Sequence, residues 1–372
     1  MQRSRTGRLY PDVGFARNEF ARALNTALGP GTVSASGRTP RRPTEPPLVL
    51  LGCSGGPDSL ALAAVAAHFV RRGELRVGAV IVDHQMQPGS AQVAETAAAT
   101  CRELGLTPVT VATVTVDTRR DGPEMAARTA RYEAFEQAVE ATGAQAILLA
   151  HTLDDQAETV LLGLARGSGT RSLAGMPTVR KTDAFTVIRP LLNLRRNQIE
   201  AICAVEELRP WHDPTNADTT LARARVRHEV LPFLEEQLGG DVATALARTA
   251  AILGPDARYL DEQARAIFDS GELTAEVPGL QPPEDVRGQA AYYGRAALAA
   301  LPDALRLRVL ALAVTAAGGE TPGFERLRAL DEFVADHAKG GPLQLAGHVS
   351  AWRVRPAGAF RATGVLIIGR TR

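Results

Sequence analysis

Leu48-Val49-Leu50-Leu51-Gly52-Cys53-Ser54-Gly55-Gly56-Pro57-Asp58-Ser59-Leu60-Ala61-Leu62 passes from an apolar run through a short polar turn into a second apolar stretch that continues to Ala67. The order reads as buried strand, tight turn, helix. Two consecutive glycines let the backbone turn sharply and approach an anion, and the helix that follows begins with unpaired N–H groups. Pro57 suits the first helical turn, where a missing N–H costs little. Ser54 and Ser59 add hydroxyl donors. Asp58 is a carboxylate where a phosphate would sit, so attraction between the two does not explain it, and it points to a bound cation or an orienting hydrogen bond. A plain Ser/Asp cap after a Gly-Gly turn is the competing explanation. A Walker loop is excluded, because no Lys followed by Ser or Thr comes after the glycines.

The turn, S-G-G-P-D-S at Ser54 to Ser59, resembles the pyrophosphate-binding loop of the ATP pyrophosphatases. Those enzymes split ATP between its α and β phosphates and leave AMP on a substrate oxygen. Nucleotidyl transfer is therefore the implied reaction, and the acceptor has to be read elsewhere in the chain.

With 372 residues, the chain is long enough for two domains, and its net charge of +1 excludes no class of partner. Within the first forty-five residues Arg3, Arg5, Arg8, Arg17, Arg22, Arg38, Arg41 and Arg42 outnumber Asp12, Glu19 and Glu45, which suits a solvated tail or a nucleic-acid contact. Cys53, Cys101 and Cys203 form no paired motif and read as buried thiols in a reducing cytoplasm. No apolar stretch is long enough to span a bilayer, and the arginine-rich start lacks the apolar core of a signal peptide.

Apolar spacing predicts an amphipathic helix over residues 11 to 28, with a connector from 29 to 47. After the first strand, turn and helix, strands at Val77–Val82, Val109–Val116 and Ala146–Ala150 alternate with helices at Ala91–Leu104 and Glu124–Ala141. Alternation of this kind implies a parallel sheet with ligands beyond the carboxyl ends of its strands. One rim then carries Ser54 to Ser59, Asp83 and His84, and the segment that starts at His151.

His151-Thr152-Leu153-Asp154-Asp155-Gln156-Ala157-Glu158-Thr159 leaves a strand and enters an apolar helix. Asp155 and Glu158 are three apart and share a helix face, where they suit magnesium or a cationic amine. A capped helix with acids in its first turn accounts for only part of the set. His151 suits orienting a phosphate or moving a proton. Further on, Ile188-Arg189-Pro190-Leu191-Leu192 reads as a short strand, Arg195 to Cys203 as a helix, and Trp211 to Asp218 as a polar turn. Arg223, Arg225 and Arg227 at alternate positions suit phosphates, or ion pairs with Asp213, Asp218 and Glu229.

S-G-G-P-D-S, V-D-H at Val82 to His84, E-M-A-A-R-T-A-R-Y at Glu124 to Tyr132, H-T-L-D-D-Q-A-E-T, R-G-S-G, R-P-L-L, D-P-T-N-A-D and R-A-R-V-R follow one another over about residues 48 to 238. The set resembles the bacterial tRNA(Ile)-lysidine synthases. Thr152, Gln85, Gln87 and Ala224 depart from that family's usual residues. The resemblance implies an α/β fold: a parallel-sheet PP-loop domain, of the adenine nucleotide α-hydrolase type, over 48–238. A preceding segment at 1–47 holds the helix and connector, and a mainly helical tRNA-binding domain at 239–372 ends in a small β hairpin or sheet.

It also implies the chemistry. ATP adenylates C2 of the wobble cytidine in a tRNA(Ile) with a CAU anticodon, and the ε-amine of free L-lysine then displaces AMP. Carried onto this sequence, Ser54, Gly55, Gly56, Pro57, Asp58, Ser59 and Asp83 bind ATP, with Asp58 on Mg2+. Asp58, His151 and Asp155 are catalytic, Asp155 and Glu158 grip lysine, and Arg223, Arg225 and Arg227 guide tRNA. Arg128 and Arg131 suit neutralising phosphate or, equally, salt bridges on their own helix. The expected setting is the cytoplasm, with no membrane contact and a homodimer among the assemblies to be tested.

The C-terminal part predicts helices at Ala243–Leu253, Ala257–Phe268, Ala304–Ala316 and Phe324–Phe333, and strands at Leu343–Val354 and Phe360–Ile368. A surface linker is expected over 269–291. Arg353, Arg355 and Arg361 suit either tRNA or a solvated sheet face. A tRNA thiolase is the leading rival, but its chemistry needs a sulfur-carrying cysteine or an iron–sulfur cluster that these three cysteines do not suggest. An amidotransferase lacks room for a glutaminase module, and a nucleotide-sensing or RNA-binding protein would not turn over ATP.

Overall fold

The run Leu48–Gly52 becomes a strand buried on both faces because parallel strands lie on each side of it, and every residue but the last is shielded from solvent. The structure is a computed structural model, and it describes residues 10–35, 45–116, 122–167, 169–335, 342–355 and 364–371. Arg3, Arg5, Arg8, Arg38, Arg41, Arg42, Ser168 and Arg361 lie outside the described residues, as does the expected strand start at Phe360. The chain divides into two compact units, Met1–Ala251 and Ile252–Arg372.

The first unit runs α1 (Pro11–Leu28), β1 (Leu48–Gly52), α2 (Pro57–Arg71), β2 (Arg76–Asp83), α3 (Ser90–Glu103), β3 (Val109–Thr113), α4 (Pro123–Thr142), β4 (Ala146–Leu148) and α5 (Leu153–Ala165). It continues with α6 (Thr170–Leu173), β5 (Val179–Lys181), β6 (Thr186–Ile188), α7 (Arg196–Val205), a 3-10 turn at Pro214–Ala217, α8 (Ala222–Arg225), a π turn at Val226–Val230, and α9 (Leu231–Leu238). α10 (Val242–Asp269) carries the boundary between the units.

The sheet order is β3-β2-β1-β4-β6-β5, parallel throughout except for the antiparallel edge strand β5. From β1 the chain winds outward to β2 and β3, then returns to place β4 on β1's other side. The carboxyl ends of β1 and β4 therefore flank the point where the winding reverses, where open α/β sheets bind ligands. Leu50 pairs with Gly78 on one side and Ile147 on the other. Position 78 admits only glycine, since a Cβ there would lie 2.6 Å from the Pro108 carbonyl and 2.7 Å from Leu50.

α2 buries ten residues, among them Leu60, Leu62, Val65 and Phe69. It can do so because α1 covers it, with Phe20 stacked on Phe69 at 4.8 Å between ring centroids. The amphipathic segment expected near the N-terminus is thus part of the main core, contributing Val13, Ala16, Phe20 and Leu24.

The second unit contains β7 (Ala291–Gly294), α11 (Arg295–Ala300), α12 (Asp303–Ala316), α13 (Phe324–Ala335), β8 (Leu343–Leu345), β9 (Val349–Val354) and β10 (Val365–Arg370). Its antiparallel sheet runs β7-β10-β9-β8 and packs Leu345, Val349, Leu366 and Ile368 with Leu310, Leu330 and Phe333. Arg353 lies over the Phe333 ring at 4.7 Å, so one arginine of the expected alternating row is engaged with the unit's own packing.

Three expectations change. The two helices read at Ala243–Leu253 and Ala257–Phe268 are one helix with Pro255 inside it. Within the first unit its buried Ala243 packs with Ala157, Val226 and Leu231, and within the second its buried Ala264 packs with Leu310 and Leu330. The strand read at Ile188–Leu192 ends at Ile188, because Pro190 has no N–H to give a sheet. β7 and α11 were not anticipated; four residues with two adjacent tyrosines carry no alternation to read.

Candidate active site

Gly55 has φ +79, and a Cβ on it would lie 3.2 Å from that of Ala97. The Gly-Gly turn is thus set both by left-handed backbone and by the close passage of α3. Gly56, in extended conformation, leads into α2 with Pro57 at its first position and no side chain capping the helix. The serines hold the loop's shape: Ser59 Oγ accepts from the Ser54 N–H at 3.2 Å, donates to the Gly56 carbonyl at 3.0 Å and lies 3.3 Å from Ser54 Oγ. What remains is a helix N-terminus with uncapped N–H groups, suited to an anion. The Trp211 N–H donates to the Gly55 carbonyl at 2.9 Å and braces the turn from outside.

Asp58 Oδ1 is buried with no hydrogen-bond partner. Burial, then the nearby Asp155, pushes this carboxyl up to about 6, against Arg196 and Arg227, with Asp154 adding to the rise. The phosphate-loop carboxylate and the constellation after β4 therefore share one electrostatic environment.

Every polar side chain from Thr152 to Thr159 has an identifiable task. Thr152, fully buried, caps α5, and Asp155 returns the bond: its Oδ2 accepts from the Thr152 N–H at 2.8 Å and the Thr152 hydroxyl at 3.0 Å. Asp154 accepts from the Arg196 N–H at 2.8 Å and pairs with Arg195, fixing the start of α7. Gln156 clamps Met176 through both amide ends, at 2.7 and 3.0 Å. Glu158, with no exposed surface, receives Arg223 Nε at 2.9 Å and Arg227 through Nε and Nη2, the latter at 3.0 Å. Arg227 also reaches Asp155 Oδ1 at 3.2 Å. The residues expected to grip lysine and two of those expected to guide tRNA are thus paired with each other here, not with Asp213, Asp218 or Glu229. Arg225 donates to the Thr219 carbonyl at 3.0 Å.

His151 Nδ1 is buried without a partner. Burial, reinforced by Arg189, Arg223 and Arg128 and opposed by Asp155, pulls its pKa down to about 4. At neutral pH it is an uncharged imidazole. Asp83, at the end of β2, accepts from the Gln85 N–H at 3.0 Å and so shapes the turn around it. Gln87 bonds to Asp213 Oδ1 at 3.2 Å, joining that turn to the segment that braces Gly55.

Residues with unspent donors or acceptors complete the rim. His84 Nδ1, the Tyr132 hydroxyl and Arg189 Nε are buried and unpartnered. Tyr132 was visible in the sequence only as the end of the Arg-Tyr block, and Arg189 only as part of a supposed strand. Among the described residues no three His, Cys, Asp or Glu side chains are arranged to hold a metal ion, and no helix is long and apolar enough to cross a membrane. All three cysteines are free and buried.

Residues 32–234 match the family described as PP-loop domain, and residues 295–356 match the TilS substrate binding domain. A tRNA(Ile)-lysidine synthase from Leifsonia xyli subsp. xyli is 49% identical over 300 residues, 81% of this chain and 86% of the relative. One from Streptomyces coelicolor is 45% identical over 320 residues, 85% of each chain. In fold, the chain is similar to the U34-tRNA thiolase NcsA from Methanococcus maripaludis, with a TM-score of 0.51 at 17% identity, covering 67% of this chain and 82% of that one. Identity of this order along most of both chains, with a PP-loop match over more than half of this one, means that the chain belongs to the tRNA(Ile)-lysidine synthase family.

Proposed function

We propose that this chain is a tRNA(Ile)-lysidine synthase that uses ATP to adenylate C2 of the wobble cytidine of a CAU anticodon and then joins that carbon to the ε-amine of free L-lysine. One observation carries the reading: Asp58 of the phosphate loop is within electrostatic reach of Asp155 and Arg227, so triphosphate, base and amine have a common meeting place.

In the first step the cytidine O2 attacks the α-phosphorus of ATP and pyrophosphate leaves into the loop of Ser54, Gly55, Gly56, Pro57, Asp58 and Ser59. The uncapped N-terminus of α2 faces that charge. The unpartnered Asp58 Oδ1 suits a magnesium ion brought in with the nucleotide, since Mg2+ is commonly held by one or two carboxylates plus phosphate oxygens and water. The metal would screen the pyrophosphate's charge. Asp83 and its turn border the adenosine.

In the second step the lysine nitrogen bonds to C2, the C2–O bond breaks, and AMP departs. Lysine arrives as a cation with a free pKa of about 10.4 and must shed a proton to attack. Asp155 and Glu158 receive the ammonium in the place where Arg223 and Arg227 sit here, and the displaced guanidiniums, with Arg225, turn to the anticodon phosphates. His151, neutral and with an open ring nitrogen, accepts the proton once an anionic adenylate beside it restores its basicity. Cytoplasmic action agrees with three reduced thiols, and a homodimer is compatible with the scheme.

The test is direct: purified protein, ATP, magnesium, radiolabelled lysine and a tRNA transcript bearing CAU. Label entering the RNA only when ATP is present is the expected result. Active ATP turnover with no lysine incorporated would remove the reading.

A further inference from the structure

The reaction as derived leaves a second group of basic side chains without a task. Arg128 on α4 and Arg180 on β5 both lie over the ring of Tyr132, at 5.1 and 5.7 Å from its centroid. Arg189, only 2% exposed, stands beside the Tyr132 hydroxyl. Its Nη1 donates to the Pro177 carbonyl at 2.8 Å, while its Nε has no partner. The Tyr132 hydroxyl is buried and has no partner in good hydrogen-bond geometry; it stands close enough to Arg189 to support its charge, both as a dipole and as a weak side-chain hydrogen bond. Three guanidiniums thus converge on one tyrosine with no carboxylate within ion-pair distance among the described residues.

Such a grouping is costly by itself. Burial, and then repulsion from Arg180 and Arg128, pulls the Arg189 guanidinium down to about 10, with Tyr132 opposing. The cost falls on Arg189, whose charge is out of water without a counter-charge and whose Nε, like the Tyr132 hydroxyl, lacks a well-placed acceptor; Arg128 and Arg180 are exposed and keep their hydration while adding repulsion. Packing does not account for it: Tyr132 already has Phe185 and Phe135 as ring neighbours at 6.1 and 6.0 Å. An oxyanion placed among these groups would offset the repulsion and accept from both orphaned donors.

We propose that Tyr132, Arg128, Arg180 and Arg189 form a second oxyanion site, separate from the Ser54–Ser59 loop, which holds a backbone phosphodiester of the RNA next to the nucleotide presented to His151. The proposal rests on the tRNA-modifying reading above. Its placement follows from two observations. His151 is within electrostatic reach of both Arg189 and Arg128, so the site adjoins the reacting base. Arg180 lies exposed on the sheet's edge strand, where a polyanion passing over the surface meets it, whereas a nucleotide's phosphates are provided for at the N-terminus of α2.

A phosphate oxygen could also belong to ATP, and the experiment separates the two sources. Arg180→Gln is the first variant, because an exposed edge arginine can be replaced without opening the core. Tyr132→Phe, which removes only the hydroxyl, is the second, and thermal unfolding of each is compared with wild type. Binding of full-length CAU tRNA is measured across a salt series, and ATP binding is measured without RNA. For Arg180→Gln we expect tRNA affinity to fall about tenfold and the slope of log affinity against log salt to drop by about 0.7 to 1, the share of one phosphate contact. ATP affinity should stay at the wild-type value, and Arg180→Lys should restore the slope. Unchanged tRNA affinity and slope in both folded variants overturns the site. Loss of ATP affinity at constant slope assigns the anion to the nucleotide and also overturns it. Failure of the wild type to bind this tRNA would remove the underlying reading and this inference with it.

Discussion

Asp58 is held in an environment that opposes its charge, and the consequence for stability has a definite sign. Its carboxyl titrates near 6 in the fold against 3.8 when free. Between those values the folded chain keeps a proton that the unfolded chain has released, so its contribution to stability declines as pH rises through that window. Above it, ionised Asp58 costs on the order of 1 to 2 kcal/mol after allowance for partial exposure. Asp58→Asn is therefore expected to raise the urea midpoint at neutral pH while abolishing AMP formation; a variant that is less stable at neutral pH would contradict the assignment. Glu158 is the opposite case. It is fully buried and matched by two arginines, and loss of one partner of a buried pair costs about 3 to 5 kcal/mol through the charge left behind. Glu158→Gln should lose on the order of 2 to 4 kcal/mol, the lower bound reflecting the amide's remaining acceptor. An unfolding midpoint equal to wild type would show that the arginines find other partners. Lysine use by this variant is meaningful only at temperatures where it stays folded.

Among the elements, the strand-turn-helix at β1 and α2 was legible because its signal is local: an apolar run, two glycines and a proline at the first helical position encode it within fifteen residues. α5 was legible for the same reason, and its cap is where the sequence offered both a structural and a chemical account. Both hold in part, since one oxygen of Asp155 caps the helix and the other meets Arg227. The pairing of Glu158 with Arg223 and Arg227 was not legible, because its partners are more than sixty positions away and like charges at alternate positions look equally suited to phosphate. Tyr132 and Arg189 escaped notice for a related reason: their meeting depends on α4 and the end of β6 converging, which no spacing announces. α10 shows where a local rule misled. Pro255 reads as a helix end, yet the helix passes through it. An interior proline costs about 3 kcal/mol through the lost N–H bond and the clash with the preceding turn. Pro255→Ala should recover on the order of 1 to 3 kcal/mol, seen as a higher melting temperature with unchanged helical circular dichroism. A lower melting temperature would mean that a kink at Pro255 is required by the packing.

At the scale of the whole molecule, the acid response sums groups scattered over the first unit. His68 and His151 are both pulled down to about 4, each first by burial and then by arginines: Arg17, Arg72 and Arg71 around His68, and Arg189, Arg223 and Arg128 around His151. Glu74 and Asp155 respectively oppose the shift without reversing it. His84 is lowered as well, by burial and Arg131 against Asp83. Below 6.5 the unfolded chain takes up protons on these rings more readily than the folded chain; His68 and His151 thus contribute stability that is present at neutral pH and lost on acidification toward about 4, and His84 acts in the same direction. With allowance for partial exposure, His68 and His151 each contribute on the order of 2 kcal/mol. Asp58 works in the other direction over nearly the same range, but it is one group against three. The net expectation is a urea midpoint that falls steadily between about pH 7 and about pH 5, with His68→Gln flattening the decline because it removes a ring that no catalytic step uses. A midpoint that rises on acidification would mean that Asp58 outweighs the histidines, and that the arginines around His151 do not hold it neutral in the folded chain.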